Sequence, residues 1–223
     1  MTQLRLHDDL SCCTVDGHLI FLDIQNDRYF HLAEPLEASL ATYMDGGNCP
    51  ESSIRRLIER KILVDGTGDH ASRLCPEIPA RSAMEETVHT IRPTPAELME
   101  TLVTVCFTQL QLKTRGLKQV LNKLSSRRGK RPFQASTLSR DESQAMDAAA
   151  AFRNARLYVP IDTCCLLDSI AMIKFLAKRE LHADLVFGVT GTPFSAHCWA
   201  QHGTTVLNDA LGHTLAFTPI RVI

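Results

Sequence analysis

Residues 161–176 read Ile161-Asp162-Thr163-Cys164-Cys165-Leu166-Leu167-Asp168-Ser169-Ile170-Ala171-Met172-Ile173-Lys174-Phe175-Leu176. Pro160 stands just before them, Leu166, Ile170 and Ile173 recur at helical spacing, and Asp162 or Thr163 is available as a cap. The spacing predicts a helix that carries Cys165 in its first turn. Unpaired backbone N–H groups and the helix dipole stabilise a thiolate there, and the cysteine's own amide is placed to donate to an oxyanion. A cysteine at a helix start is also a common piece of buried core. The decision therefore rests on what surrounds it.

Downstream, Asp184 to Thr190 reads as a strand, Gly191-Thr192-Pro193 as a turn, and Phe194 to Gln201 as a second strand. His202-Gly203 then turns into Thr204 to Asp209. A hairpin closing at 202 and 203 pairs 199 with 206 and 197 with 208, which sets Asp209 beside His197. Strand alternation puts His197, Trp199 and Gln201 on one face and the small Ala196, Cys198 and Ala200 on the other. Trp199 either shields the imidazole or is a core aromatic. Cysteine at a helix start, histidine on a strand and aspartate at the end of its partner strand fill the roles of thiolate nucleophile, base and orienter. The candidate catalytic residues are Cys165, His197 and Asp209.

Further upstream, Pro95 to Leu124 returns to helical spacing with a break near Gly116, and Asp141 to Arg156 is an Ala-rich helix with an acidic start. Arg127-Arg128-Gly129-Lys130-Arg131 between them reads as a solvated loop. Residues 67–94, rich in Gly, Pro and charge, read as a linker. Ahead of it, LSCCTVD, HLIFLDI and RYFHL form a three-stranded meander with turns at Asp16-Gly17 and Gln25-Asn26-Asp27. Two helices follow. The first ends at Gly46-Gly47; the second starts at Pro50 and repeats its apolar face at Ile54, Leu57, Ile58 and Leu63. The fold class is α+β, with units at 1–66 and 95–223.

Composition narrows the function. The net charge is −1 and the pI about 6.7, so no global field gathers nucleic acid or an anionic membrane. The first 66 residues are acidic, with 11 Asp and Glu against 6 Lys and Arg, which argues against a DNA-reading front unit. MTQLRLHDDLSCC has neither a basic n-region nor an apolar h-region, and no apolar run reaches 18 residues, so the expected location is cytoplasmic. Eight cysteines without a CxxC pair are expected as reduced thiols. The tight His197, Cys198 and His202 group lies on one strand, and no metal site is expected.

The ordered set Cys165-Leu166 with Ser169-Ile170-Ala171, Phe187-Gly188-Val189, Pro193-Phe194, Ala196-His197-Cys198-Trp199 and Asn208-Asp209 resembles the lasso-peptide biosynthesis B proteins, transglutaminase-like leader peptidases. The likeness covers residues 95 to 215. It implies a transglutaminase-like, papain-like cysteine peptidase domain with Cys165 as nucleophile, His197 as base and Asp209 as orienter; Cys165 rather than Cys164 is the match because the family's cysteine directly precedes the leucine. Cys198 stands where the family commonly has alanine. Residues 1–66 resemble the winged-helix-like leader-recognition element fused to some of these enzymes, through Phe21-Leu22-Asp23, Tyr29-Phe30-His31-Leu32 and Gly46-Gly47, with one helix after Gly47 where the family usually has two. Phe21, Tyr29, Phe30 and Leu32 mark the leader-binding region that this implies, by strand addition to a sheet edge. The implied substrate is a ribosomally made precursor peptide, and the implied partner is an asparagine-synthetase-like lasso cyclase that uses ATP, with no cofactor in this chain. Two other functions fit the same residues: acyl transfer to an amine, and a binding module that presents leaders to a cyclase.

Overall fold

The N-terminal strands form where alternation and turn residues place them. The computed structural model describes residues 4–66, 76–86, 92–128 and 138–223. After β1 (Leu4–Leu6), a meander of β2 (Leu10–Val15), β3 (His18–Asp23) and β4 (Arg28–His31) pairs antiparallel in that order. Asp16 and Gly17 both sit at positive φ, 51° and 83°, the combination that lets a two-residue turn follow the strand twist.

Helix α1 (Glu34–Met44) ends before Gly46, at φ 78°, and α2 (Glu51–Glu59) starts after Pro50. The second helix is shorter than its apolar spacing suggests. Lys61 at φ 55° turns the chain out of the helix, and the Ile62 N–H donates to the Leu57 carbonyl at 2.9 Å. Leu63 therefore belongs to β5 (Leu63–Asp65), paired antiparallel with β1, while Ile58 is left exposed.

The expected linker is also more structured than its composition suggests. Within it, β6 (Arg81–Ser82) pairs in parallel with a later strand and leads into α3 (Ala83–Glu86), where Ala83 is fully buried. Its remaining stretches 67–75 and 87–91, and residues 129–131 of the basic run, lie outside the described residues.

Helix α4 (Pro95–Arg128) is kinked at Gly116, whose φ of 74° is open to glycine, and α5 (Leu138–Arg156) follows. Next come α6 (Cys165–Ala177), β7 (Asp184–Thr190), β8 (Ser195–His202), β9 (Thr205–Val206), α7 (Leu211–Leu215) and β10 (Thr218–Val222). The five-stranded sheet has the order β10-β7-β8-β9-β6. Cys198 and Ala200 of β8 face the core formed with α4, α5 and α6, whereas Trp199 packs with Val186, Val206 and Phe217 on the other face. That division is the one strand alternation predicts.

Gly188 of β7 lies directly opposite His197. A Cβ there would come within 2.8 Å of both the Trp199 ring and the Phe217 Cβ. Gly188→Ala is expected to destabilise the protein by about 1–3 kcal/mol through overpacking, read from the midpoint of urea unfolding.

Strand β3 joins the two halves. Leu19 and Phe21 point into the core under α1 and α2, while Ile20 and Leu22 enter the core built on α6 and β8. Both of its faces are dry, and each of these buried side chains contributes roughly 1.5–3 kcal/mol of transfer free energy. Polar contacts reinforce the junction: Lys118 Nζ pairs with Asp9 at 2.7 Å, and Arg221 Nη1 donates to Ser11 Oγ at 3.1 Å. The N-terminal unit is thus packed on the rest of the chain through a continuous core.

Candidate active site

Helix α6 opens at Cys165 because the chain before it is extended and its first turn is tied down. Cys164 is the N-cap residue, at φ −143° and ψ 127°, and its side chain makes no cap bond; neither Asp162 nor Thr163 takes that position. The work is done from inside the helix by Asp168, whose Oδ2 accepts the Cys164 N–H at 3.2 Å. Asp168 is itself gripped by the buried Arg156, Nε to Oδ1 at 2.6 Å, and Arg156 also donates to the carbonyls of Ile161 and Asp162. The loop before the helix is therefore held at three residues, Ile161, Asp162 and Cys164, and solvent-exposed Cys165 is presented at its end.

The histidine strand is fixed to the same helix. Ser169 Oγ, fully buried, donates to the Cys198 carbonyl at 3.2 Å and accepts from Asn208 Nδ2 at 2.8 Å. Asn208 Oδ1 in turn accepts the Ala200 N–H at 2.8 Å. One amide side chain thereby binds α6, β8 and the segment leading to Asp209.

The β8–β9 register differs from the expected one. Gln201 pairs with Val206 and His202 with Thr205, a shift that would set residue 208 opposite 199 rather than 197. The last backbone bond in this register runs from the Leu207 N–H to the Ala200 carbonyl at 2.9 Å, and the Asn208 side chain then takes the place of a backbone acceptor for the Ala200 N–H. Asp209 then swings back to His197, with Nε2 to Oδ2 at 2.5 Å.

Two residues of the expected linker hold this turn. Ser82 Oγ donates to the Asp209 carbonyl at 2.6 Å, and Glu85 Oε1 accepts the Leu211 N–H at 3.0 Å. His213 of α7 also contributes. Its Nδ1 lies 2.8 Å from the same Asp209 Oδ2, and its ring is 4.7 Å from that of His197. Asp209 Oδ1 accepts the Ala210 N–H at 2.7 Å, so the carboxylate meets three donors. Ser82, Glu85 and His213 were not candidates from sequence. An Asp–x3–His spacing at the start of a helix was the one signal for His213.

The electrostatics follow from these contacts. The Cys165 thiol is drawn down to about 4 by hydrogen bonds from Cys198 and His197, against the opposing effect of burial. Burial lowers the His197 imidazole, but its bonds to Asp209 and Cys165 outweigh that and raise it to about 9. Burial likewise opposes ionisation of Asp209, yet His197 and His213 hold it below its ordinary value. The Cys198 thiol is pushed strongly upward, first by its bond to Cys165, and stays neutral. With Nε2 taken by Asp209, His197 Nδ1 is the ring nitrogen left for the thiol. Around neutrality the pair is a thiolate and an imidazolium, the state that lets sulfur attack without prior proton transfer.

Trp199 is both core and shield: it is 1% exposed, donates from Nε1 to Gln201 Oε1 at 2.9 Å, and stacks beside His197 at 6.1 Å between centroids. His197, Asp209 and His213 bring three ligand atoms within 4.8 Å of one another, a spacing a divalent ion could use, although hydrogen bonds account for it. His202 does not join them; its Nδ1 lies against the His182 carbonyl at 2.6 Å.

The candidate leader-binding residues divide. Phe21 is fully buried, stacked on Phe30 at 5.0 Å, and reaches no surface. Phe30 and Leu32 line a cavity of about 580 Å³ beside β4, together with Arg28, His31, Arg60 and Lys61. Tyr29 points the opposite way, toward the large core.

The sequence model of the transglutaminase-like superfamily matches residues 107–222. A 46-residue stretch is 44% identical to the Microcin J25-processing protein McjB of Escherichia coli, spanning 21% of this chain and 22% of that protein. The match thus covers about a fifth of that relative's length. No solved structure matches the chain significantly. Among the described residues, no helix is long and apolar enough to cross a membrane.

Proposed function

Because the chain belongs to the transglutaminase-like superfamily, we propose that it is a cysteine peptidase that removes the leader from a ribosomally made lasso-peptide precursor. The observation that carries this is the position of His197 between the Asp209 carboxylate and the thiol of Cys165, which opens a helix with free backbone N–H groups in its first turn. The Cys165 thiolate attacks the carbonyl at the leader–core junction, and the oxyanion accepts from the Cys165 amide. His197 gives its proton to the leaving amine, which releases the core peptide and leaves the leader as a thioester on sulfur. Neutral His197 then takes a proton from water, and the hydroxide displaces the thiolate to free the leader carboxylate. Asp209 keeps Nε2 protonated and the ring aligned throughout.

The lasso substrate class is supported by the family resemblance and by the partial likeness to a protein that processes microcin J25. Residues 1–66 act as the leader-recognition unit. Strand β4 is an edge of its sheet among the described residues, with the cavity lined by Phe30 and Leu32 alongside, as strand addition requires. The released core amine passes to a separate ATP-dependent, asparagine-synthetase-like cyclase, and this chain needs no cofactor of its own.

Incubating a candidate precursor with the protein, with and without the cyclase, and weighing the products tests the reading. Free leader ending in a carboxylate is the expected product. A leader joined to an added amine turns the assignment to acyl transfer; intact precursor that nevertheless binds turns it to leader presentation.

A further inference from the structure

Strand β4 divides its side chains between two surfaces. Phe30 faces the small core and the cavity beside the strand edge, while Tyr29 faces the core that contains Cys198 and Ala196 neighbours on β8. The Tyr29 ring meets Phe194, just before β8, at 5.6 Å between centroids and an interplanar angle of 59°. Alternation puts Phe194, Ala196 and Cys198 on one face of the strand, and Cys198, with His197, is hydrogen-bonded to the Cys165 thiol. Moving from the nucleophile toward the hairpin tip, the wall therefore runs Cys198, Ala196, Phe194, with Tyr29 closing it from the N-terminal unit.

The tip is docked. The Thr192 N–H donates to Asp16 Oδ2 at 3.3 Å, and the approach at Gly191 is so close that a Cβ would fall 1.9 Å from that same oxygen. Phe194 nonetheless keeps 48% of its surface in water, so an aromatic ring packed against Tyr29 beside a docked hairpin tip still presents an open face. Burial pushes the Tyr29 phenol upward, and the charge on the Cys165 thiolate adds to the push, as expected for a group that shares its surroundings.

We propose that Tyr29 and Phe194 form an aromatic subsite that receives a large apolar side chain from the residues on the acyl side of the bond attacked by Cys165. The side of the bond rests on the leader-peptidase reading. A leader anchored on β4 lies N-terminal to the scissile bond, and its path from that strand to Cys165 passes Tyr29 and then Phe194. The recognition unit thereby contributes to cleavage specificity as well as to capture, which is a reason for its fusion through a shared core.

The test uses dipeptidyl epoxides carrying Phe or Gly at each of the two positions before the warhead, with iodoacetamide as a reagent that has no side chain to seat. Alkylation of Cys165 in the full chain is followed by intact mass. Wild type is expected to react about tenfold faster with a Phe-bearing probe than with the all-Gly probe, the gain from covering the open half of one ring. Phe194→Ala, and separately Tyr29→Ala, bring that preference to within about twofold while iodoacetamide rates move less than that. Circular dichroism and the midpoint of urea unfolding verify that each variant is folded. An unchanged preference in Phe194→Ala overturns the subsite, as does an equal fall in the iodoacetamide rate or the absence of any preference in wild type. If no precursor is cut but the probe preference stands and depends on Phe194, the peptidase reading fails and the subsite survives.

Discussion

Cys165→Ala is expected to lower precursor cleavage by at least about 10⁴-fold, the scale on which removal of a triad nucleophile is felt, with leader affinity by fluorescence anisotropy unchanged. The neighbouring cysteines provide the contrast. Cys164 supplies only backbone to the start of α6: its side chain makes no cap bond, and its N–H is held by Asp168. Cys164→Ala should therefore cleave within about threefold of wild type, since no cap bond of the kind worth ~1 kcal/mol is lost. Cys198→Ala should also cleave, because the buried position accepts a smaller side chain, but it removes the first of the bonds that draw the Cys165 thiol down. The acid limb of its pH–rate profile should move upward. Single-turnover mass spectrometry on the three variants checks the set. Full activity in Cys165→Ala, or its loss in Cys164→Ala alone, would exchange the nucleophile for its neighbour.

The parts of this site that were legible in sequence are those with a local period. Helix α6 shows its apolar spacing within four turns, and the β7–β8 hairpin shows alternation and a Gly-Thr-Pro turn, so the elements bearing Cys165 and His197 could be read directly. What holds them together could not. Ser82 reaches the Asp209 carbonyl across 127 residues of chain, from a two-residue strand set in Gly- and Pro-rich surroundings. A strand of two residues has no period to detect, and the same is true of β1 and β5 with three each. The β8–β9 register escaped for a related reason. Turn chemistry at Gly203 suggested a closure at 202 and 203, but the two-residue turn is Gly203-Thr204, with Gly203 at φ 55° in its first position, and beyond the paired residues the Asn208 amide stands in for backbone, which leaves no mark on strand alternation. The separation of Tyr29 from Phe30 was implicit in alternation, yet which face met which core depended on β3 being buried on both sides.

The carboxylate is where the second large effect is expected. Asp209→Asn should lower kcat by about 10²–10⁴-fold with little change in KM, as loss of the orienting charge does in triads of this kind. Its more specific signature is in pH. The active pair needs Cys165 ionised, which holds above about 4, and His197 protonated, which is lost as pH rises through about 9. Wild-type kcat/KM should therefore be bell-shaped with limbs near those values. The limbs belong to the coupled pair rather than to either group alone. Burial by itself lowers the imidazole, and the Asp209 bond is the largest of the contributions that raise it. An amide keeps an acceptor oxygen for Nε2 but removes the charge, so the alkaline limb must move down from about 9, with the Cys165 thiolate left as the group that still raises the imidazole. His213 cannot replace the lost anion, since it offers the carboxylate a donor, as His197 does. Profiles of kcat/KM from pH 4 to 10 for wild type and Asp209→Asn, with Cys165 alkylation by iodoacetamide tracked in parallel, measure this directly. An alkaline limb that stays in place in the variant would mean that the charge next to His197 does not set its protonation, and Asp209 would then be only a hinge in the backbone that Ser82 holds.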